Sequence, residues 1–106
     1  MAQTSEEQLA ELHGQLEAVR AEWSASLAAP SGRVAAEWHG YFVRRAELHE
    51  QMANLYERMW ALVPSTSLLW RAIGDARRAQ RLDAERSREQ AEVWAESAEQ
   101  ALAVTR

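Results

Sequence analysis

Cysteine and lysine are absent from this chain, proline occurs twice and glycine four times. Without cysteine there can be no disulfide, no thiolate nucleophile and no cysteine-based zinc site. Pro30 and Pro64 are the only prolines, so there are few places to turn and the elements between them must be long. Strand formers are scarce: Ile73 is the only isoleucine and the valines are scattered, which argues against a sheet. No apolar run approaches the length needed to span a membrane. The opening MAQTSEEQLAEL is acidic and polar, unlike a signal peptide. The expected setting is therefore the cytoplasm, with no membrane contact.

What remains is helix-forming. Hydrophobic residues make up 47% of the 106 residues, too many for a disordered chain and enough for one domain with a modest core. Ala, Glu, Gln, Arg and Leu dominate, and such side chains lose little freedom in a helix. The spacing predicts three helices, over about residues 4–29, 32–63 and 67–104. Thr4 and Glu7 form a capping-box pattern at the first start. The first helix then carries an apolar seam at Leu9, Leu12, Leu16, Val19 and Trp23, in steps of three and four. Ser31 is the expected N-cap of the second helix. Its seam, from Val34 through Trp38, Tyr41, Arg45, Leu48, Met52, Leu55 and Met59 to Leu62, has Arg45 as its only polar member. Further rows beside it, Phe42, His49, Tyr56 and Val63 among them, broaden this face enough to touch two neighbours. Pro64 and the hydroxyls after it should end this helix and cap the next.

The third helix differs. Its stripe, from Ile73 through Ala76, Gln80, Ala84, Ser87, Ala91, Trp94 and Ala98 to Leu102, is mostly small. Small residues allow a close approach to a partner bearing large side chains, or leave a helix projecting into solvent. The expected fold is all-α: a three-helix antiparallel bundle, or a long helical hairpin with an extended third helix, with coiled-coil-like seams.

Half of the arginines lie between residues 71 and 88, in a chain whose formal net charge is -4. A nucleic-acid grip needs basic groups unopposed by carboxylates. Here Asp75, Asp83, Glu85 and Glu89 are interleaved, and no aromatic residue suited to base stacking lies among them. Steps of three and four predict ion pairs along the helix, Arg71–Asp75, Asp75–Arg78, Arg81–Glu85, Glu85–Arg88 and Arg88–Glu92, each adding roughly 0.2–0.5 kcal/mol. Nucleic acid is thus not the expected partner. Arg77, Arg78 and Arg81 remain a local basic spot, a candidate polar contact patch for an acidic protein surface.

No catalytic, cofactor-binding or metal-binding residues are expected. His39 and His49 are ten apart, about 15 Å along a helix, too far to share one ion. Neither they nor His13 completes the Glu-x-x-His spacing of di-metal bundles. Gly-rich phosphate loops and nucleophile elbows are absent. Five tryptophans are many for this length. Most should pack in the core, but Trp, Tyr, Met and Arg also mark interfaces. The candidate protein interface is therefore the broad face of the second helix: Trp38, Phe42, Arg45, His49, Met52, Tyr56, Met59 and Trp60.

The tripeptide Trp38-His39-Gly40 is similar to the Trp-x-Gly motif of the WXG100 family of small secreted helical hairpins. In that family the tripeptide forms the turn between two helices. Here the turn residues lie earlier, at 30–32, Pro64 adds a second break, and the family's C-terminal Tyr-x-x-x-Asp/Glu secretion pattern is missing. The leading expectation is a non-enzymatic helical protein–protein interaction module, an adaptor, inhibitor or assembly subunit of bacterial or phage accessory type. It should act as a homodimer or higher oligomer and bind another protein. The alternatives are a dimeric nucleic-acid-binding regulator using the 71–88 helix, and a WXG100-like secreted hairpin.

Overall fold

A computed structural model describes residues 2–105 of the chain, and all its regular structure is helical. Helix α1 is Ser5–Ser26, α2 is Ala35–Trp60 and α3 is Leu68–Thr105. The 38 residues of α3 make a rod roughly 57 Å long at 1.5 Å per residue, and the molecule measures 62 × 25 × 23 Å. The radius of gyration is 17.9 Å, against about 13 Å for a spherical domain of this length.

The helix ends follow local chemistry. The Thr4 hydroxyl accepts the Glu7 N–H at 3.2 Å, satisfying one of the orphan donors of the first turn. Ser26 ends α1 three residues before the spacing predicts. Its hydroxyl donates to the Glu22 carbonyl at 2.6 Å, and Leu27 turns extended. Such back-bonding competes with continuation of the helix. Ser31 does not cap α2. The N-cap is Val34, with no side-chain cap bond, because residues 27–34 run outside the helix and are tied down by Trp38, whose indole N–H donates to the Gly32 carbonyl at 2.8 Å. At the second break α2 ends at Trp60, three residues before the spacing predicts, and the cap of α3 is as expected: the Ser67 hydroxyl donates to the Pro64 carbonyl at 2.7 Å and accepts the Trp70 N–H at 3.1 Å.

Helix α2 is the centre. It runs antiparallel to both neighbours and presents a different face to each. Toward α1 it packs Met52 and Leu55 against Leu12 and Leu16, with Val19, Trp23, Tyr56, Met59 and Leu62 closing round them. Arg45, the polar interruption of this seam, lays its guanidinium over the Trp23 ring at 5.2 Å and donates to the Tyr41 hydroxyl at 3.1 Å. Toward α3 the packing is by small residues, and the third helix folds back along α2. Ala46 and Ala53 of α2, and Ala84, Ser87 and Ala91 of α3, are all buried. Small residues therefore stand on both sides of this seam, and of the two paths the sequence left open for α3 the one packed closely on a partner helix is taken. The bulk sits at its two ends, in the Trp60–Trp70 stack at 4.7 Å and the Trp38–Trp94 stack at 5.7 Å. Among the described residues, α1 and α3 do not pack on one another.

Gly40 lies inside α2, and no described glycine has a positive φ. The turn that the WXG100 resemblance implies at Trp38-His39-Gly40 is therefore absent. The glycines make a test of local packing. A Cβ added at Gly14 or Gly40 would meet nothing within 4 Å, whereas one at Gly74 would stand 3.2 Å from the indole nitrogen of Trp60. Gly14→Ala and Gly40→Ala are each expected to raise stability by about 0.5–1 kcal/mol, the usual gain of Ala over Gly in a helix. Gly74→Ala should lose that gain. Trp60 is held between the Trp70 ring and the Arg77 guanidinium, which stands 4.2 Å from its centroid, so the ring has no room to yield. Urea melts of the three variants check this, and an equal gain at all three sites would mean the Trp60 clamp is loose.

Candidate protein-interaction surface

The eight residues of the candidate α2 face do not form one open surface, because α1 and α3 divide it. His49 and Met52 are buried. His49 touches both neighbours: its Nδ1 donates to the Gln80 side-chain oxygen at 2.6 Å, and its ring meets Trp23 edge to face at 4.7 Å. Its Nε2 is buried without a hydrogen-bond partner. Trp38 and Phe42 stack on each other near Trp94, Trp60 is covered by Trp70 and Arg77, and Arg45 is held by Trp23 and Tyr41. Only Tyr56 and Met59 of the eight reach an open groove.

The arginine run is sorted by helix face. Among the described residues, none of the five expected ion pairs along α3 is made; the one pair within the helix is Arg86–Asp83, loose at 3.8 Å. Instead the arginines that face α2 pair across to it. Arg77 and Arg81 both reach Glu57, at 3.4 and 2.6 Å, and Arg88 pairs with Glu50. The physical reason is proximity. The small seam brings the two backbones so close that α2 carboxylates lie nearer to these guanidinium groups than carboxylates a turn away on α3. Arg77, Arg78 and Arg81 are consequently not one open basic patch. Arg77 is only 19% exposed and Arg81 is committed to Glu57, which leaves Arg78 exposed and, among the described residues, without an ion pair.

The groove is the feature that residue spacing alone does not reveal. Since α1 and α3 sit on separated faces of α2, a trough of about 510 Å³ opens between them. Its floor is Tyr56 and Met59, with Leu16 and Ile73 where the helices meet. Leu9 and His13 of α1 and Leu69 and Ala76 of α3 form the walls. At one end Arg20 donates to the Tyr56 hydroxyl at 2.9 Å and pairs with Glu17. Apart from this end and His13 the lining is apolar, as expected of a surface that receives side chains rather than ions. Leu69 and Ala72 lie beside the Ile73 stripe, to which Ala76 belongs, and are the signal in the sequence that marks this wall.

Elsewhere chemistry is sparse. Among the described residues no group of three or more His, Asp or Glu is placed to hold a metal ion, and no described helix is long and apolar enough to cross a membrane. The exposed surface is 7370 Å². A compact monomer of this mass, 12.0 kDa, would expose about 6,000 Å², leaving an excess of roughly 1,400 Å². These features define an all-α protein built as an α2–α3 hairpin with α1 laid along one end. No protein-family model, curated protein or solved structure matches the chain.

Proposed function

We propose that this chain is a non-enzymatic helical interaction module, an adaptor, inhibitor or assembly subunit working in the cytoplasm as an oligomer and receiving a helix of another protein. The observation that carries the reading is the apolar groove between α1 and α3. Its walls are parallel helices and its floor is a third, the shape into which an amphipathic helix lays its apolar face. Tyr56 and Met59 at the floor are residue types enriched at interface centres. The pairing of Arg77, Arg81 and Arg88 with α2 carboxylates weighs against the nucleic-acid reading, since a paired guanidinium must break its ion pair before it can neutralise a phosphate.

The test is capture from native-host lysate after nuclease treatment, with tagged wild-type chain, Gly40→Ala and Ala76→Arg in parallel. Wild type and Gly40→Ala should retain one protein in stoichiometric amount, and Ala76→Arg, which fills the groove wall, should lose it by more than about tenfold. A partner kept equally by a folded Ala76→Arg chain would sink the groove reading. Partners that vanish on nuclease treatment would return the function to nucleic acid.

A further inference from the structure

Helix α3 turns a second stripe away from α2. Residues 68, 72, 75, 79, 82, 86, 89 and 93 follow one another in steps of four and three, and every one of them is exposed. Leu68 is 82% exposed, Leu82 45% and Val93 53%. A row of that spacing lies along one face of a helix with a repeat of 3.5 residues, the period of a two-helix seam. It runs roughly 38 Å.

The row reads as its own complement. Folded about the point between residues 80 and 81, Leu68 falls opposite Val93, Asp75 opposite Arg86, and Ala79 opposite Leu82. In the remaining pair the stem of Glu89 lies over Ala72. Of the three charged members, Asp75, Arg86 and Glu89, the first two face each other and are free to pair. Among the described residues the Asp75 side chain makes no ion pair or hydrogen bond, and the Arg86 side chain makes the 3.8 Å contact to Asp83 alone while 68% exposed. This separates Arg86 from Arg77, Arg81 and Arg88, whose charges are taken up by α2.

We infer that this stripe is a self-association face, on which α3 of a second copy lies antiparallel about a two-fold axis level with Gln80 and Arg81. The inference rests on the oligomeric part of the function proposed above and gives it a location. Two observations favour a second copy over another occupant. An isologous contact requires one patch to complement itself under a two-fold rotation, and here three of the four pairs do: Leu68 with Val93, Asp75 with Arg86 and Ala79 with Leu82. The roughly 1,400 Å² of surface in excess of a compact monomer is the amount each subunit of a stable homodimer hides. Alanines near the axis let the two backbones approach, while Leu82 and Val93 supply the apolar contact. Ala72 is shared between this stripe and the groove wall, and the other seven members of the stripe lie outside the groove.

Sedimentation equilibrium of the full chain, with the charges reversed singly and together, tests the contact. Wild type should be a dimer. Asp75→Arg places two arginines opposite Arg86 residues, and Arg86→Asp sets aspartates against Asp75. Each single variant should weaken self-association by about tenfold or more. The double variant Asp75→Arg, Arg86→Asp should regain it. An equimolar mixture of the two single variants should form heterodimers, because every charged pair is then opposite in sign. No fold defect within one chain would produce that mixing result. A dimer indifferent to these changes and to Leu82→Arg overturns this face and leaves the oligomeric reading standing. A wild-type chain that stays monomeric to millimolar concentration overturns both.

Discussion

Leu48→Ala is expected to lower the unfolding free energy by about 3–5 kcal/mol, the largest loss from any single truncation in this chain. Leu48 is fully buried, at 0% exposure, and stands one turn from Met52, which packs against α1. Its removal takes three carbons out of the interior and leaves a cavity that two rigid helices can close only in part, so the transfer loss and the cavity term add. With thermal unfolding of a domain this size moving by about 4 °C or more per kcal/mol, Tm should fall by about 15 °C. Val104→Ala is the matching control, since Val104 is 87% exposed and its truncation should stay within about 0.5 kcal/mol. Both melts must be taken at one protein concentration, because self-association stabilises the folded chain by mass action. Equal stability of the two variants would show that the α2 interior around Leu48 is not closed in solution.

The α1–α2 seam shows how far residue spacing carries. Leu12, Leu16, Met52 and Leu55 were legible as apolar seams because large side chains repeat there in steps of three and four, although Met52 was expected at an interface and lies in the core. The three helices, their order and the breaks at Pro30 and Pro64 follow from the same reasoning. The ends were less legible. Ser31 has the right side chain for a cap, but the anchoring of Gly32 by Trp38 moves the helix start to Ala35, and a contact six residues away is invisible to a local rule. Ser26 ended α1 through a bond to its own preceding turn, a choice that Ser makes only in some contexts.

The path of α3 was open in the sequence. An alanine-rich stripe suits both a tightly packed helix and a free one, and only the matching Ala46 and Ala53 on α2 decide for close packing. That choice then decides the charges. Spacing along one helix predicts pairs such as Arg81–Glu85 and Arg88–Glu92. Close approach of α2 offers Glu57 and Glu50 instead, and the guanidinium groups take them. The candidate interface was affected in the same way. Trp38, His49, Met52 and Trp60 have the composition of a binding face, yet a face wide enough for two neighbours is filled by α1 and α3 themselves. The groove arises because those two helices stand apart, a relation between helices that no pattern within one of them encodes.

Close packing of α2 and α3 makes the second large prediction. Ala53 and Ala84 are both at 0% exposure, on the faces these helices turn toward each other. Ala53→Leu and Ala84→Leu should each destabilise by about 2–3 kcal/mol. Leu and Ala differ little in helix propensity, so the loss would come from forcing the backbones apart. Separation at the middle must also disturb the ends, where Trp60 stacks on Trp70 and Trp38 on Trp94. The near-ultraviolet circular dichroism of the coupled indoles should therefore weaken in both variants while far-ultraviolet helicity at low temperature is kept. Ala18→Leu, an exposed change on α1, should alter neither stability by more than about 0.5 kcal/mol nor the indole signal. If Ala53→Leu and Ala84→Leu are as stable as wild type, α3 does not lie against α2 in solution. The cross-helix pairing of Arg77, Arg81 and Arg88 would then fall with it, and the arginines would again be open to a partner.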